Sequence, residues 1–189
     1  MTLEFRETPL AGSFVIVPTS REDERGSFGR LFDESLFRER GLDPSLAQAS
    51  FSYNIAARTL RGMHYQRESW TETKLVRCTR GRVFDVIVDL RAGSPTRLGW
   101  FGVELDERTR NAIYVPAGFA HGFVTLTPDA ELHYQISTPY HPDSGAGLRW
   151  DDPSLAIDWP VEPSVISERD ATYPLLDAAD PRWAGRSSS

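Results

Sequence analysis

The stretch NAIYVPAGFAHGFVTL, residues 111–126, consists of two short apolar runs on either side of the turn residues Pro116 and Gly118. Runs of this length, rich in β-branched and aromatic residues, are typical of strands rather than helices. Six more such runs are separated by segments that contain glycine, proline, aspartate or serine. They are FVIVP (14–18), TLRGMHYQ (59–66), KLVRC (74–78), RVFDVIVDL (82–90), WFGVEL (100–105) and ELHYQIS (131–137). Eight short strands at this spacing predict an all-β fold, a jelly-roll β-sandwich or barrel.

Helices are a minor component of the predicted fold. The segment DESLFRERG, residues 33–41, predicts one helix, because its two central apolar residues share a face and Gly41 would end the run. A second short helix is predicted around residues 169–178. The length of 189 residues fits a single domain over the whole chain, with a flexible tail expected over about residues 181–189.

Composition and charge narrow the function classes. Hydrophobic residues make up 40% of the chain and charged residues 25%, which is ordinary for a soluble globular protein. The net charge of −6 argues against a nucleic-acid-binding surface. No run of about 20 apolar residues is present for a membrane span, and the first residues have no signal-peptide pattern. The single cysteine, Cys78, allows no internal disulfide, so a reducing, cytoplasmic location is expected.

The strand TLRGMHYQ is unusual because it carries Arg61, Gly62 and His64 in its middle. Strict alternation would place Arg61 and His64 on opposite faces of the sheet. Glycine inside a strand often marks a bulge, which would allow both side chains to approach one ligand. We therefore predict that this strand forms a pocket wall and that Gly62 hosts the irregularity.

The segment PAGFAHG, residues 116–122, has the pattern P-x-G-x-x-H, which resembles the second motif of the cupins. In cupins this turn delivers a histidine, here His121, into the mouth of a small β-barrel. The first cupin motif would need a second histidine where this chain has Gln66. A metal site would therefore use His64, His121 and Glu68, a weak version of two histidines and a carboxylate. Cationic side chains expected in the same pocket would be unfavourable beside a divalent metal, so a metal-free site is favoured.

Three further polar residues have ordinary interpretations when each is taken alone. Tyr134 alternates with Leu132 and Ile136, which fits a core tyrosine whose hydroxyl makes one hydrogen bond. Lys74 shares a face with apolar neighbours, which fits a strand-end lysine whose stem reaches past them to water. Asp170, in SERD, fits a helix cap or a surface residue.

Taken together, the segments resemble the dTDP-4-dehydrorhamnose 3,5-epimerase family, sugar-nucleotide epimerases of cupin fold. The resemblance covers about residues 5–176, and its motifs occur in the family's order. The matching segments are DERGSFGRLF (23–32), TLRGMHYQ (59–66), KLVRCTRGRVFDVIVDLR (74–91), SPT (94–96), YVPAGFAHGF (114–123), GLRWDDPSLAIDWP (147–160) and SERDATYPLL (167–176).

The resemblance implies an enzyme that needs no metal or other cofactor and acts as a homodimer on a nucleoside-diphosphate 4-keto-6-deoxyhexose. The leading conversion is dTDP-4-dehydro-6-deoxy-D-glucose to dTDP-4-dehydro-L-rhamnose. Such chemistry needs a base, an acid on the far face of the sugar and a group that stabilises charge on the ketone oxygen. The family pattern assigns the base to His64, oriented by Asp170, the acid to Tyr134 and the stabilising cation to Lys74.

The resemblance also implies a set of substrate-binding residues. In the segment DERGSFGRLF, Arg25 and Phe28 are expected to reach the nucleotide across the dimer interface, and arginine suits phosphate because its planar fork bonds two oxygens. The sugar and diphosphate region is expected to be lined by His121 and Arg61. Three further binding positions are Gln48, Glu72 and Tyr140.

The chain departs from the family's common pattern at four positions. Glu72 stands where glutamine is common, Arg58 where glycine is usual, and Ser50 where the family has asparagine. The insert RESWTET (67–73) carries Trp70, which is large enough to form a lid or a base-stacking wall. These changes leave open a monofunctional 3- or 5-epimerase acting on another nucleotide sugar. A keto-isomerase, a metal-dependent cupin and an inactive sugar-binding module are also open at this point.

Overall fold

The computed structural model describes residues 2–176, and the architecture over this range is mostly β. The strands are β1 (Leu3–Glu7), β2 (Phe14–Pro18), β3 (Ser20–Asp23), β4 (Gly26–Gly29), β5 (Gln48–Asn54), β6 (Thr59–Gln66), β7 (Lys74–Arg80), β8 (Arg82–Asp89), β9 (Trp100–Asp106), β10 (Ala112–Val115), β11 (Phe119–Thr125), β12 (Ala130–Ile136), β13 (Gly145–Gly147) and β14 (Val165–Ile166). The helices are α1 (Glu34–Arg38) and α2 (Glu168–Ala171), with a 3₁₀ turn at Pro142–Ser144. Each of the eight predicted strands coincides with one of these.

Two antiparallel sheets form a sandwich, which confirms the predicted fold class. The first sheet has the order β1-β2-β10-β7-β12-β5, and the second has the order β13-β6-β11-β8-β9. The short strand β14 runs parallel to β6, and β3 and β4 form a separate two-stranded ribbon. Over residues 2–176, no helix is long and apolar enough to cross a membrane.

The core lies between the two sheets. Val76, Ile113 and Leu132 come from the first sheet, Ile87 and Phe123 come from the second, and all are at most 2% exposed. Burial of these side chains is the main favourable contribution to folding. Because strand side chains alternate, the polar residues on the same inner faces, further along the same strands, point into the space between the sheets.

The helix α1 agrees with the sequence, although it is shorter than the predicted 33–41. Asp33 caps it by accepting a hydrogen bond from the Leu36 amide, and Gly41, with a φ of +68°, follows its end. Phe37 anchors the helix on the outer face of the first sheet, edge-on against Tyr114 with ring centres 5.8 Å apart.

The predicted helix around 169–178 is wrong in extent. The structure has only the four-residue helix α2, capped by Ser167. Pro174 provides the physical reason, because proline has no amide hydrogen and disfavours a helical conformation at the residue before it. Residues 177 and 178 and the predicted tail at 181–189 lie outside the described residues.

The predicted irregularity in β6 is confirmed by the register with β11. His121 pairs with His64, whereas Phe123, two residues on, pairs with Arg61, three residues back. One extra residue is therefore accommodated in β6 between Arg61 and His64. Gly62 lies at this point with a φ of +130°, and a Cβ atom there would lie 2.5 Å from the Gly122 Cα of the neighbouring strand.

Replacing Gly62 with alanine is expected to destabilise the fold in two ways. The left-handed backbone alone costs roughly 1–3 kcal/mol for a residue with a Cβ, and the contact with Gly122 adds overpacking of about 1–3 kcal/mol. Gly26→Ala is the matched control, because Gly26 has a φ of +122° and a Cβ atom there would meet nothing within 4 Å. Urea unfolding measures both losses. Equal losses in the two variants would contradict the close-approach argument.

Candidate active site

A cavity of about 560 Å³ opens between the two sheets, a size typical of small-molecule sites. Strands β5, β7 and β12 of the first sheet and β6, β11 and β13 of the second contribute to its wall. Eight residues that the sequence nominates line it: Gln48, Arg61, His64, Glu72, Lys74, His121, Tyr134 and Tyr140. The bulge in β6 is the reason that both Arg61 and His64 face the same cavity.

His64 is held by Asp170, a residue 106 positions further along the chain. The His64 Nε2 lies 2.8 Å from Asp170 Oδ1, and the Gly62 amide donates to Asp170 Oδ2 at 3.1 Å. Burial alone would raise the pKa of Asp170, but hydrogen bonds from His64 and from the Gly62 amide hold it below its usual range. The ionised carboxylate fixes the tautomer with hydrogen on Nε2, so Nδ1 is the basic nitrogen.

The interpretation of Asp170 as a cap or surface residue is wrong. Its side chain is buried, and the capping role belongs to Ser167, whose hydroxyl accepts from the Asp170 amide at 3.1 Å. The short helix α2 therefore serves to deliver a carboxylate to the back of His64.

Tyr134 reaches the cavity from β12 and packs against the core as well. Burial, and then the nearby charge of Asp85, raise the pKa of its hydroxyl far above the usual range. The hydroxyl therefore keeps its proton throughout the neutral range. The ring of Tyr134 packs against the core, as the interpretation of a core tyrosine expects, but the residue also lines the cavity.

Asp85 is not among the residues that the sequence nominates, although it completes a second histidine–carboxylate pair. His121 Nε2 lies 2.8 Å from Asp85 Oδ2, and both side chains are at most 5% exposed. Burial raises the pKa of Asp85, against the lowering effect of His121. The sequence contains a signal for it, because Asp85 occupies the same inner face as the core residues Val83 and Ile87.

Lys74 is buried and points into the cavity, so its interpretation as a strand-end lysine in water is wrong. The Lys74 Nζ lies 3.0 Å from Glu72 Oε1, and each of these side chains is 11% exposed. The second oxygen, Glu72 Oε2, accepts from Gln66 Nε2 at 2.8 Å. The cavity therefore contains an ammonium group with a fixed carboxylate beside it.

Two arginines contribute positive charge to the cavity wall. Arg61 Nε donates to Asn54 Oδ1 at 2.7 Å, which steadies the guanidinium across the mouth between the sheets. Arg169, which the sequence patterns do not single out, lines the cavity from α2, with its Cζ atom 5.7 Å from the ring centre of Tyr173. Arg169 could have been identified from the sequence as a site residue, because it directly precedes Asp170.

Three nominated residues lie elsewhere. Arg25 and Phe28 sit on the β3–β4 ribbon, which is exposed almost throughout, and neither lines the cavity of its own chain. Trp70 stacks on His141 with ring centres 4.3 Å apart and does not line the cavity. His64, His121 and Glu68 form no metal site, because residues 2–176 contain no group of three or more histidine, cysteine, aspartate or glutamate side chains that could hold a metal ion.

Comparison with known proteins agrees with this geometry. The family model for dTDP-4-dehydrorhamnose 3,5-epimerase matches residues 7–178. A dTDP-4-dehydrorhamnose 3,5-epimerase of Sinorhizobium fredii is 42% identical over 173 residues, covering 91% of this chain and 89% of the relative. A dTDP-4-dehydrorhamnose 3-epimerase of Streptomyces niveus is 39% identical over 184 residues, covering 97% and 87%.

A solved structure of an epimerase also matches this chain. The dTDP-6-deoxy-D-glucose-3,5-epimerase of Legionella pneumophila, in complex with dTDP-4-keto-L-rhamnose, superimposes with a TM-score of 0.88 at 37% identity, covering 100% of both chains. With the sandwich fold, the cavity and matches over nearly the whole length in agreement, this chain belongs to the dTDP-4-dehydrorhamnose 3,5-epimerase family and is an epimerase.

Proposed function

We propose that the protein inverts carbons 3 and 5 of a nucleoside-diphosphate 4-keto-6-deoxyhexose, converting dTDP-4-dehydro-6-deoxy-D-glucose into dTDP-4-dehydro-L-rhamnose. One observation carries the proposal: the base candidate and the acid candidate belong to opposite sheets. His64 is on β6 of the second sheet, whereas Tyr134 and Lys74 are on β12 and β7 of the first. A sugar ring between the sheets is therefore exposed to a base on one face and an acid on the other.

The 4-keto group acidifies the hydrogens on the carbons at either side of it. His64 Nδ1 removes one of these protons, and the electron pair of the C–H bond moves to the ketone oxygen as an enolate. The Lys74 ammonium stabilises that charge, and the Asp170 carboxylate stabilises the imidazolium. The Tyr134 hydroxyl then gives its proton to the same carbon from the opposite face. Solvent returns the proton from His64 to Tyr134 before the second carbon reacts.

The two arginines of the cavity wall, Arg61 and Arg169, are the cations available to bind the diphosphate of the substrate. Lys74 is engaged with Glu72, whereas neither Arg61 nor Arg169 forms a salt bridge within the part of the chain that the structure describes. Planar guanidinium groups bind phosphate oxygens in pairs. The two arginines therefore anchor the diphosphate, and Lys74 is reserved for the ketone.

Solvent exchange tests the proposed reaction. The protein is incubated with dTDP-4-dehydro-6-deoxy-D-glucose in deuterated water, and the product is followed by NMR. The expected result is deuterium at carbons 3 and 5 with inversion at both. Absence of exchange at both carbons would refute the proposal for this substrate, and a carbonyl moved to carbon 3 would indicate a keto-isomerase.

A monofunctional 3-epimerase is the second candidate function. It is favoured by one observation, the relative from Streptomyces niveus, which is named as a 3-epimerase and matches 97% of this chain. The same exchange experiment separates the two functions, because this enzyme would introduce deuterium at carbon 3 only.

We also propose that the protein acts as a homodimer in which the β3–β4 ribbon reaches the cavity of a second copy. The ribbon carries Arg25 and the 71%-exposed Phe28 away from its own cavity, and the edge strand β5 carries Phe51, which is 73% exposed. Exposed aromatic side chains beside an unpaired strand edge are typical of a surface that pairs with another chain.

A complementation experiment tests this arrangement. Co-expressed Arg25→Ala and His64→Asn chains, each poorly active alone, are expected to regain activity. A mixed dimer contains one cavity with an intact His64 that receives an intact Arg25, and random pairing restores about a quarter of the sites. No recovery in a mixed sample shown to contain dimers would contradict the exchange of ribbons.

A further inference from the structure

Trp70 lies in the loop between β6 and β7, where its indole packs on a second loop, the one that follows β12. It stacks on the His141 imidazole with ring centres 4.3 Å apart and ring planes 18° apart. The Nδ1 atom of His141 is buried and has no hydrogen-bond partner among residues 2–176, so that nitrogen does not tether the ring. Stacked aromatic pairs contribute beyond the area that they bury. The indole of Trp70 therefore helps to hold the second loop against the first.

Polar contacts join the same two loops beside the stack. Gln66 Nε2 donates to the Trp70 carbonyl at 3.0 Å, and Gln66 Oε1 accepts from the His141 amide at 2.7 Å. Thr138 Oγ1 donates to the Thr71 carbonyl at 3.0 Å. These bonds use main-chain atoms of Trp70, His141 and Thr71, so a substitution of the Trp70 side chain does not remove them. The contribution of the indole can therefore be measured by itself.

Tyr140 is the residue whose position depends on this contact. It directly precedes His141, and its own amide donates to Gln48 Oε1 at 2.6 Å. Tyr140 lines the cavity and is nevertheless 56% exposed, which places it at the mouth. Tyr173 and, to a smaller extent, Tyr140 raise the pKa of Arg169, so Tyr140 lies near that guanidinium. An exposed aromatic ring is therefore held next to a cation that the proposed function assigns to the diphosphate.

The order of the parts of the substrate determines what this ring meets. In a nucleoside-diphosphate sugar, the base and the sugar lie at opposite ends of the diphosphate. The proposed function places the sugar between the sheets, at His64 and Lys74, and the diphosphate at the two arginines. The base therefore lies farther out, where Tyr140 is exposed. Nucleic-acid bases stack on aromatic side chains because every base has a flat π-face.

We propose that Trp70 is a positioning residue for the nucleotide, because its stack on His141 holds Tyr140 in place for the base. This inference rests on the proposed function, which sets the direction in which the substrate lies. Without the indole, Tyr140 is free to adopt other positions, and binding of the base must then also order the loop. The groups that transfer protons lie on strands of the two sheets, so the loss falls on binding and not on chemistry.

A double-mutant cycle on the binding of dTDP, measured by calorimetry, tests the inference. Trp70→Ala and Tyr140→Ala are each expected to bind dTDP about tenfold more weakly than the wild type, the value of a typical base–aromatic stack. The double variant is expected to bind dTDP no more weakly than Tyr140→Ala, because Trp70 acts through Tyr140. Trp70→Phe keeps a ring for His141 and should restore the affinity. Ser69→Ala is the matched control, because Ser69 is an exposed residue of the same loop that does not line the cavity.

Two further measurements separate positioning from a general loss of structure. Inorganic pyrophosphate has no base, so Trp70→Ala and the wild type are expected to bind it equally. With the sugar nucleotide, Trp70→Ala is expected to raise KM about tenfold and to retain kcat. His141→Ala removes the other ring of the stack and is expected to weaken dTDP binding to the same extent. It takes the place of Trp70→Ala in the cycle if that variant does not fold.

Three outcomes would overturn the inference: wild-type affinity of Trp70→Ala for dTDP, additive losses in the double variant, or a loss of pyrophosphate binding as large as the loss of dTDP binding. None of them depends on exchange at carbons 3 and 5, which decides the proposed function separately. A wild type that binds no dTDP would overturn both.

Discussion

Replacing His64 with glutamine is expected to slow hydrogen exchange at carbons 3 and 5 alike, by about 10²–10⁴-fold, the usual contribution of a positioned general base. The glutamine amide reaches about as far as the imidazole Nε2 and can still donate to Asp170, so the buried carboxylate keeps a partner. What is lost is Nδ1, the nitrogen proposed to receive the substrate proton. Both carbons should be affected because the same base serves both.

The controls for this variant concern stability and binding. Urea unfolding should give a midpoint near that of the wild type, and binding of dTDP should be retained, because neither depends on the basic nitrogen. Asp170→Asn is the companion variant: it leaves the imidazole but removes the ionised group that fixes its tautomer. Retention of more than about a tenth of the wild-type rate in His64→Gln would rule out His64 as the principal base.

Replacing Tyr134 with phenylalanine is expected to separate exchange from inversion. The enolate still forms at His64, but no acid remains on the opposite face, so the carbon recovers a proton from the side of His64. Epimerised product should therefore fall by about 10²-fold or more, while exchange with retention of configuration continues. The measurement is the ratio of deuterium in recovered substrate to deuterium in product.

This variant should fold normally, because it deletes one hydroxyl and keeps the ring that packs 5.9 Å from the His121 ring centre. Thermal unfolding of the variant provides the control. If exchange and epimerisation fall by the same factor, Tyr134 is not the acid, and another donor on the first sheet must supply the proton.

The strands that sequence patterns predict well are those with a buried face. Strands β7, β8, β10 and β11 are buried almost throughout, and their apolar runs mark them clearly. Strand β5 escapes prediction because six of its seven residues are not buried, so it carries no clear apolar alternation. An edge strand of this kind is defined by its partner β12 and not by its own composition.

The candidate site shows a different limit. The order of motifs nominates His64, Lys74, Tyr134 and Asp170. Gly62 predicts where the alternation along β6 breaks, but the size of the irregularity, one extra residue, is seen only in the pairing with β11. Contacts between residues far apart in the chain, such as the hydrogen bond that the Gly62 amide donates to Asp170, depend on the assembled sandwich and cannot be predicted from neighbouring residues in the sequence.

The placement of His64 and Tyr134 on opposite sheets has a consequence for how this enzyme can be altered. The gap between the two groups depends on the thickness of the apolar layer, which Leu132 and Ile87 help to set. In the proposed mechanism the stereochemical outcome therefore depends on the volume of the core, and smaller side chains in that layer would disturb the alignment of both proton transfers at once. Changes that alter substrate scope are therefore expected to be better tolerated in the loop around Trp70 and, in the proposed dimer, in the β3–β4 ribbon of the second copy than in the interior.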